Sequence, residues 1–148
     1  MITRFVCAIL FLSVLQIGRG SSDPWTPQET IQPQKLAKAL AGGPEVLMVG
    51  PRILFNGAHI AGAVYAGPAG KPEGLETLSK AAASIAKDRQ IVLYCGCCPM
   101  ERCPNIRPAF QKLKELGYRR VKALILPTNL HDDWIAKGYP VEKGDIPR

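Results

Sequence analysis

The sequence predicts an α/β domain of three layers, in which a central, mostly parallel β-sheet is covered by helices on both faces. Short apolar runs with strand propensity alternate along the chain with segments whose apolar residues recur at helical spacing. This alternation is typical of parallel sheets that are buried on both sides. The chain has 148 residues and a hydrophobic content of 47%, which is enough for one compact domain with its own core.

Each predicted element follows from its local pattern. In chain order they are a helix over 35–40, strands over 46–49 and 63–66, a helix over 75–87, a strand over 91–95, a helix over 105–116, a strand over 121–126 and a short helix over 130–137. The run Ile91-Val92-Leu93 is continuously apolar, as expected of a buried strand. The last helix carries Trp134, which we expect to lie in the core.

The N-terminal residues have the pattern of an export signal. Arg4 supplies a positive charge, residues 5–17 are almost entirely apolar, and small residues follow. A membrane anchor is the alternative, but the apolar run is shorter than the roughly 20 residues that a membrane span requires. We therefore expect residues 1–20 to be a cleavable signal peptide of a periplasmic or secreted protein. Residues 21–34 are predicted to be a linker to a domain over 35–146.

The charge of the chain favours small anionic partners over nucleic acid. The formal net charge is +7, or +5 without Arg4 and Arg19 of the predicted signal peptide. The basic residues are spread along the chain without interleaved aromatic residues, so nucleic-acid binding has little support. A small anionic substrate is consistent with this moderate positive charge.

Four of the five cysteines are clustered directly after the apolar run Ile91-Val92-Leu93, and the fifth, Cys7, lies in the predicted signal peptide. The clustered residues are Cys95, Cys97, Cys98 and Cys103. The carboxyl ends of strands form the ligand crevice of open α/β sheets. We expect Pro104 in the first turn of the next helix, whose N–H groups then favour a thiolate and an anion. Arg102 and Arg107 add positive charge nearby.

The residues alone leave several chemistries open for this cluster. Cys95 is suited to be the nucleophile of a sulfur transfer, because it is positioned by the end of a rigid strand. A local disulfide of Cys95 or Cys97 with Cys103 is a second possibility. A soft metal ion, Cu(I) or Zn(II), bound by the thiolates is a third, although the spacing is not the paired Cys-x-x-Cys of structural zinc sites. A thioredoxin-like redox site is less favoured, because successive cysteines are separated by one, no and four residues and so do not form a clean Cys-x-x-Cys motif.

Four segments, in correct order over roughly residues 34–143, resemble the rhodanese family. Gly57-Ala58-His59-Ile60-Ala61-Gly62-Ala63-Val64 is similar to the Gly-His-Ile-Pro-Gly-Ala segment upstream of that family's catalytic strand. Ile91-Val92-Leu93-Tyr94-Cys95 matches the strand that ends in the nucleophilic cysteine. Residues 116–121 match a helix-to-strand connection, and residues 134–141 match the closing Trp-x3-Gly-x-Pro-Val motif.

The resemblance implies a sulfurtransferase with a rhodanese-like fold and no cofactor or metal. The family's cysteine thiolate takes the sulfane sulfur of an anionic donor such as thiosulfate, carries it as a persulfide and passes it to cyanide or a thiol. By position the nucleophile is Cys95, while Arg102 and the backbone of Gly96 are expected to bind the donor. Cys97, Cys98 and Cys103 are expected to resolve the persulfide or to form a protective disulfide, with Cys103 as the preferred partner.

The chain also departs from the family pattern. The distance from Cys95 to Gly117 is about five residues longer than the family pattern suggests. The family's Asp-Val-Arg is absent from Val49-Gly50-Pro51-Arg52, and Pro127-Thr128-Asn129 replaces its Gly-Gly. Among the other polar residues, His59 is expected to be a structural hydrogen-bonding residue. Asp132 and Asp133 beside His131 are expected in a first helical turn capped by Asn129.

Overall fold

A five-stranded parallel sheet forms the centre of the computed structural model, which describes residues 23–144. The strands are β1 (Thr30–Ile31), β2 (Glu45–Met48), β3 (His59–Ile60), β4 (Val64–Tyr65), β5 (Gln90–Tyr94), β6 (Arg120–Leu124) and β7 (Val141–Glu142). The order in the sheet is β1-β6-β5-β2-β4, and β3 and β7 form a separate antiparallel pair. The predicted parallel α/β architecture is therefore confirmed.

Within residues 23–144, five α-helices cover the two faces of the sheet. They are α1 (Pro33–Ala39), α2 (Arg52–Gly57), α3 (Pro72–Ala82), α4 (Ile106–Glu115) and α5 (Leu130–Asp133). Helices α3 and α4 contribute to the hydrophobic core on one face, whereas α1, α2 and α5 contribute to the core on the other. Within residues 23–144, no helix is sufficiently long and apolar to cross a membrane.

The alternation of side chains along β5 decides which core each residue joins. Leu93 and Cys95 lie in the core with α3 and α4, whereas Val92 and Tyr94 lie in the opposite core. Successive residues of a strand point to opposite faces, so this separation follows from the extended backbone. The sulfur of Cys95 is therefore directed toward the face covered by α3 and α4.

The described part of the predicted linker packs against the domain. Strand β1 pairs with β6, with Thr30 opposite Ala123, so residues of the expected linker extend the sheet. The ring of Trp25 packs edge-on against Phe110 of α4, with the ring centroids 5.4 Å apart. A two-residue strand is too short to show periodicity in the sequence. Residues 21–34 were therefore predicted to be a linker from their polar and proline-rich composition alone. The predicted signal peptide over 1–20 lies outside the described residues.

Several element boundaries differ from the predicted ones. Strands β3 and β7 and helix α2 were not expected, because two of them have two residues each and the third is less than two turns long. Helix α4 begins at Ile106, so Pro104 precedes the helix instead of lying in its first turn. The predicted helix over 130–137 is divided at Trp134 into α5 and a 3-10 turn. The Asn129 side chain accepts the Asp132 N–H at 2.9 Å, as expected of a cap.

His59 has the structural role that the sequence suggests. Its side chain is fully buried, and Nδ1 donates a hydrogen bond to the Phe55 carbonyl oxygen at 2.7 Å. The imidazole also stacks on the Phe55 ring, with the centroids 3.8 Å apart. These contacts hold α2 against β3.

Replacement of Trp134 should destabilise the fold strongly. The indole is fully buried, and its Nε1 donates to the Pro140 carbonyl oxygen at 2.9 Å. For Trp134→Ala we expect the free energy of unfolding in urea to fall by about 3–5 kcal/mol, because a large cavity is created. The control Ile53→Ala, at a side chain that is 79% exposed, should change it by less than about 0.5 kcal/mol. Equal effects of the two variants would contradict the assignment of Trp134 to the core.

Candidate active site

Cys95 lies immediately after β5, at the carboxyl edge of the sheet. The strand end is fixed by the Val49 N–H, which donates to the Tyr94 carbonyl oxygen at 2.8 Å, and by the Tyr94 hydroxyl, which accepts the Ile60 N–H at 3.1 Å. A Cβ atom at Gly50 would approach the Cys95 sulfur to 3.0 Å and its carbonyl oxygen to 2.7 Å. A glycine at position 50 therefore allows this close approach to Cys95.

The loop after Cys95 is fastened to the domain at both of its ends. Gly96 has a φ of +79°, and its carbonyl oxygen accepts the Leu130 N–H at 3.1 Å. A side chain at Gly96 would collide with Leu130, so the glycine is required by the loop itself. Further along, the Met100 N–H donates to the Leu126 carbonyl oxygen at 3.0 Å, at the start of a 3-10 turn.

The loop brings the four predicted cysteines together. The sulfur of Cys97 lies 3.2 Å from that of Cys95 and 3.1 Å from that of Cys98. Cys103 returns to the cluster, and its sulfur lies within 4.8 Å of the sulfurs of Cys95 and Cys97. Cys95 and Cys103 are buried, Cys98 is partly buried, and Cys97 is exposed. All four residues are free thiols here.

Asn105 is a site residue that was not identified as such from the sequence. Its side chain is buried, and Oδ1 accepts the Gly70 N–H at 2.8 Å. Because an N–H group can only donate, this contact fixes the orientation of the amide and leaves Nδ2 to face Cys95. Nδ2 donates to the Cys95 sulfur at 3.3 Å. The two contacts span 35 and 10 residues, so no local pattern could have indicated them.

Cys95 and Cys103 form a thiol–thiolate pair. The Cys95 S–H donates to the Cys103 sulfur, and the backbone N–H groups of Asn105 and Ile106 add to this donation, so the pKa of Cys103 falls to about 6. The pKa of Cys95 is raised, first because the hydrogen bond of its S–H to Cys103 favours the protonated form and second because burial disfavours the charged form. The N–H groups at the start of α4 thus lower the pKa of Cys103, in addition to the larger effect of the Cys95 hydrogen bond. Burial raises the pKa of the Cys98 thiol to about 12.

The two arginines near the loop differ in their availability. Arg102 lies exposed in the 3-10 turn, and its guanidinium makes no ion pair with any residue of the described range 23–144. Arg107 instead forms an ion pair with Asp23 at 2.7 Å and donates to the Met100 carbonyl oxygen at 3.3 Å. The positive charge of Arg107 is therefore engaged by the N-terminal segment.

A cavity of about 410 Å³ opens beside Cys97. Its lining is mainly apolar, with polar groups at one side; the lining residues include Met48, Ile53, Leu54, Cys97, Asn129, Leu130, His131 and Ile135. Cys95, Cys98 and Cys103 instead surround a separate void of about 10 Å³ that is closed by apolar side chains such as Leu124 and Leu126. A small molecule in the larger cavity therefore meets Cys97 before it meets Cys95.

The sheet order and the helices on both faces match the fold of solved rhodanese-like structures. The rhodanese-like domain of the Alr3790 protein from Anabaena is 27% identical, with a TM-score of 0.51 over 74% of this chain and 96% of that chain. The BH2092 protein from Bacillus halodurans is 22% identical, with a TM-score of 0.61 over 78% of this chain and 77% of that one.

An enzyme structure is also similar. A thiosulfate sulfurtransferase from Pseudomonas aeruginosa is 25% identical, with a TM-score of 0.57; the similarity covers 79% of this chain but only 20% of that larger one. No family model and no curated protein matches the sequence.

The first thiolate of the cluster should form at unusually low pH. Because Cys103 has a pKa of about 6, compared with 9.0 for an ordinary thiol, its charge is present at neutral pH and is lost as the pH falls through 6. We expect a thiolate ultraviolet absorbance with a midpoint near pH 6 in the reduced protein. Cys103→Ser should remove this early step. If every thiol titrated above about pH 8, the thiol–thiolate pair of Cys95 and Cys103 would be contradicted.

Asn105→Asp should separate the two roles of the amide. The carboxylate retains an acceptor for the Gly70 N–H, but it replaces the donor to Cys95 with a negative charge. We expect the midpoint of the first thiolate to rise by about 1 pH unit or more, because like charges disfavour ionisation. The control Gln111→Glu makes the same charge change at an exposed position of α4 and should leave the midpoint unchanged. Similar shifts in both variants would assign the effect to net charge alone.

Proposed function

We propose that this protein is a sulfurtransferase that carries sulfane sulfur as a persulfide on Cys95. The observation that supports this most directly is the position of Cys95 after β5, where its sulfur accepts a hydrogen bond from the oriented Asn105 amide. The backbone N–H of Cys97 donates to the same sulfur. These donors stabilise negative charge on the sulfur, whether it is a thiolate or a persulfide.

The Cys95–Cys103 hydrogen bond supplies the base for the first step. In the resting pair the proton is on Cys95 and the charge is on Cys103. Transfer of this proton to Cys103 runs against the resting preference of the pair, and the Asn105 amide and the Cys97 N–H, which donate to the Cys95 sulfur, stabilise the thiolate that it forms there. No proton is lost to solvent. Cys103 therefore acts as the base that accepts and holds the Cys95 proton, while Cys95 is the nucleophile that forms the new sulfur–sulfur bond.

Sulfur transfer then proceeds by two displacements. With thiosulfate, the Cys95 thiolate attacks the outer sulfur, the bond between the two donor sulfurs breaks, and sulfite leaves with the electron pair. The acceptor, a thiolate or cyanide, next attacks the outer sulfur of the persulfide. The Cys95 thiolate is the leaving group of this second step, and it recovers its proton from Cys103. Neither displacement needs an external oxidant or reductant.

The surroundings of Cys97 favour a small donor and a thiol acceptor. Cys97 is exposed in the cavity of about 410 Å³, a volume within the usual range of small-molecule sites. Arg102 is exposed and is available to attract an anionic donor. The expected export of the chain, based on the pattern of residues 1–20, is also part of this proposal. In an oxidising compartment, a disulfide of Cys95 with Cys103 would protect the nucleophile.

Persulfide formation should depend on Cys95. We expect the reduced protein, with Cys7 replaced by Ser in every variant, to gain one sulfur atom from thiosulfate and to release it as thiocyanate on addition of cyanide. Intact mass and peptide mapping locate the sulfur. Cys95→Ser should abolish both steps, with turnover reduced by at least about 100-fold. Cys103→Ser should shift the pH profile of turnover upward, because the base is lost.

The matched control is Cys98→Ser. The Cys98 thiol has a raised pKa of about 12, and it has no part in the proposed mechanism. Its replacement should therefore leave sulfur transfer near the wild-type level. A persulfide mapped to a cysteine other than Cys95, or full turnover by Cys95→Ser, would refute the proposal.

A further inference from the structure

We propose that Cys95, Cys97 and Cys103 also form a binding site for one soft monovalent metal ion of the Cu(I) type. The sulfur atoms of these three residues all lie within 4.8 Å of one another. They are contributed by the end of β5, by the exposed part of the loop and by the segment before α4. This function goes beyond sulfur transfer, although it uses the same sulfur atoms.

The spacing of the three sulfurs suits a single ion. A metal–thiolate bond of about 2.3 Å in a trigonal plane places the sulfurs about 4.0 Å apart. The Cys95–Cys97 pair is at 3.2 Å, and every pair of the three lies within 4.8 Å. Changes of less than about 1 Å in sulfur position are therefore sufficient, and rotation of the exposed Cys97 side chain can supply most of this.

The ligand set selects the kind of ion. All three ligands are thiols, and soft thiolates favour ions such as Cu(I). Structural zinc sites are almost always tetrahedral and need a fourth ligand. Cys98 is not a member of the group, although its sulfur lies 3.1 Å from that of Cys97. Three sulfurs around one centre, with the fourth outside it, favour three-coordinate Cu(I) over Zn(II).

The negative charge of the complex is stabilised by groups already in place. Three thiolates and one monovalent cation carry two net negative charges, which burial would otherwise disfavour. The Asn105 amide donates to Cys95, and the backbone N–H groups of Asn105 and Ile106 donate to Cys103. Binding replaces the thiol protons with the metal and releases them to solvent, so it should strengthen as the pH rises.

The burial of the three ligands suggests a route for the ion. Cys95 and Cys103 adjoin the small apolar void that Leu124 and Leu126 help to close, which limits access of water to their sulfurs. Cys97 is the exposed ligand, so an ion can be received from and passed to an external thiol by exchange at this residue. A persulfide on Cys95 would occupy the centre of the trio, and the two cargoes therefore exclude each other.

Anaerobic titration of the reduced, sulfur-free full chain tests the proposal, with Cys7 replaced by Ser throughout. In competition with a chromophoric Cu(I) chelator, we expect one Cu(I) per chain, with three sulfur neighbours by X-ray absorption. Cys97→Ser and Cys103→Ser should each weaken binding by at least about 100-fold, because each removes one of three ligands. Cys98→Ser, the matched thiol outside the group, should change the affinity by less than about threefold.

Several outcomes would overturn the site. An equal loss in Cys98→Ser, two or four sulfur neighbours, or displacement of Cu(I) by an equimolar amount of Zn(II) would each contradict it. Copper binding is measured on sulfur-free protein, so the result does not depend on whether sulfur transfer occurs. In the converse experiment, Cu(I)-loaded protein should gain no sulfur from thiosulfate until the chelator removes the metal. Simultaneous loading with both would show that the cargoes do not share the trio.

Discussion

The side-chain amide of Asn105 connects the parts of the molecule on which the candidate site depends. It binds the Gly70 N–H just before α3 and the Cys95 sulfur just after β5, while its own backbone N–H donates to Cys103. One buried residue thus contacts the segments before both helices on this face of the sheet. Because the amide has a single orientation that satisfies Gly70, the polarity it presents to sulfur is fixed by the fold.

In the cysteine loop, the sulfur that carries the negative charge is not the one at the end of the strand. A helix start stabilises an anion near its first N–H groups, and in this chain the thiol next to those groups is Cys103. Cys95 remains at the end of the strand, and the helix start affects it only indirectly, through its hydrogen bond to Cys103. In this loop the cysteine at the end of the strand and the cysteine with the lowered pKa are therefore two different residues, Cys95 and Cys103.

Much of the sheet could be predicted from the sequence, and the failures have physical causes. Strands β2, β5 and β6 are apolar runs of four or five residues, long enough to give a pattern. Strand β1 has two residues and is held by pairing with β6, a contact that depends on distant sequence. The cysteine cluster was predictable because its members are close in the chain. Asn105 was not, because an isolated polar residue before a helix is usually only a cap.

The lowered pKa of Cys103 was likewise beyond the sequence. A helix start facing the loop was expected, but which thiol it would favour depended on the boundary of α4, and boundaries are the least certain part of a sequence prediction. With the helix beginning at Ile106, its first free N–H groups reach Cys103.

The ion pair between Arg107 and Asp23 connects the first described residue to the cysteine loop. Asp23 lies 84 positions before Arg107, whose guanidinium also holds the carbonyl of Met100 in the cysteine loop. Asp23 thus helps to hold Arg107 in the position from which it binds the loop. Natural or engineered variation at this end of the chain could therefore adjust loop stiffness, and with it sulfur reactivity, while every cysteine stays unchanged.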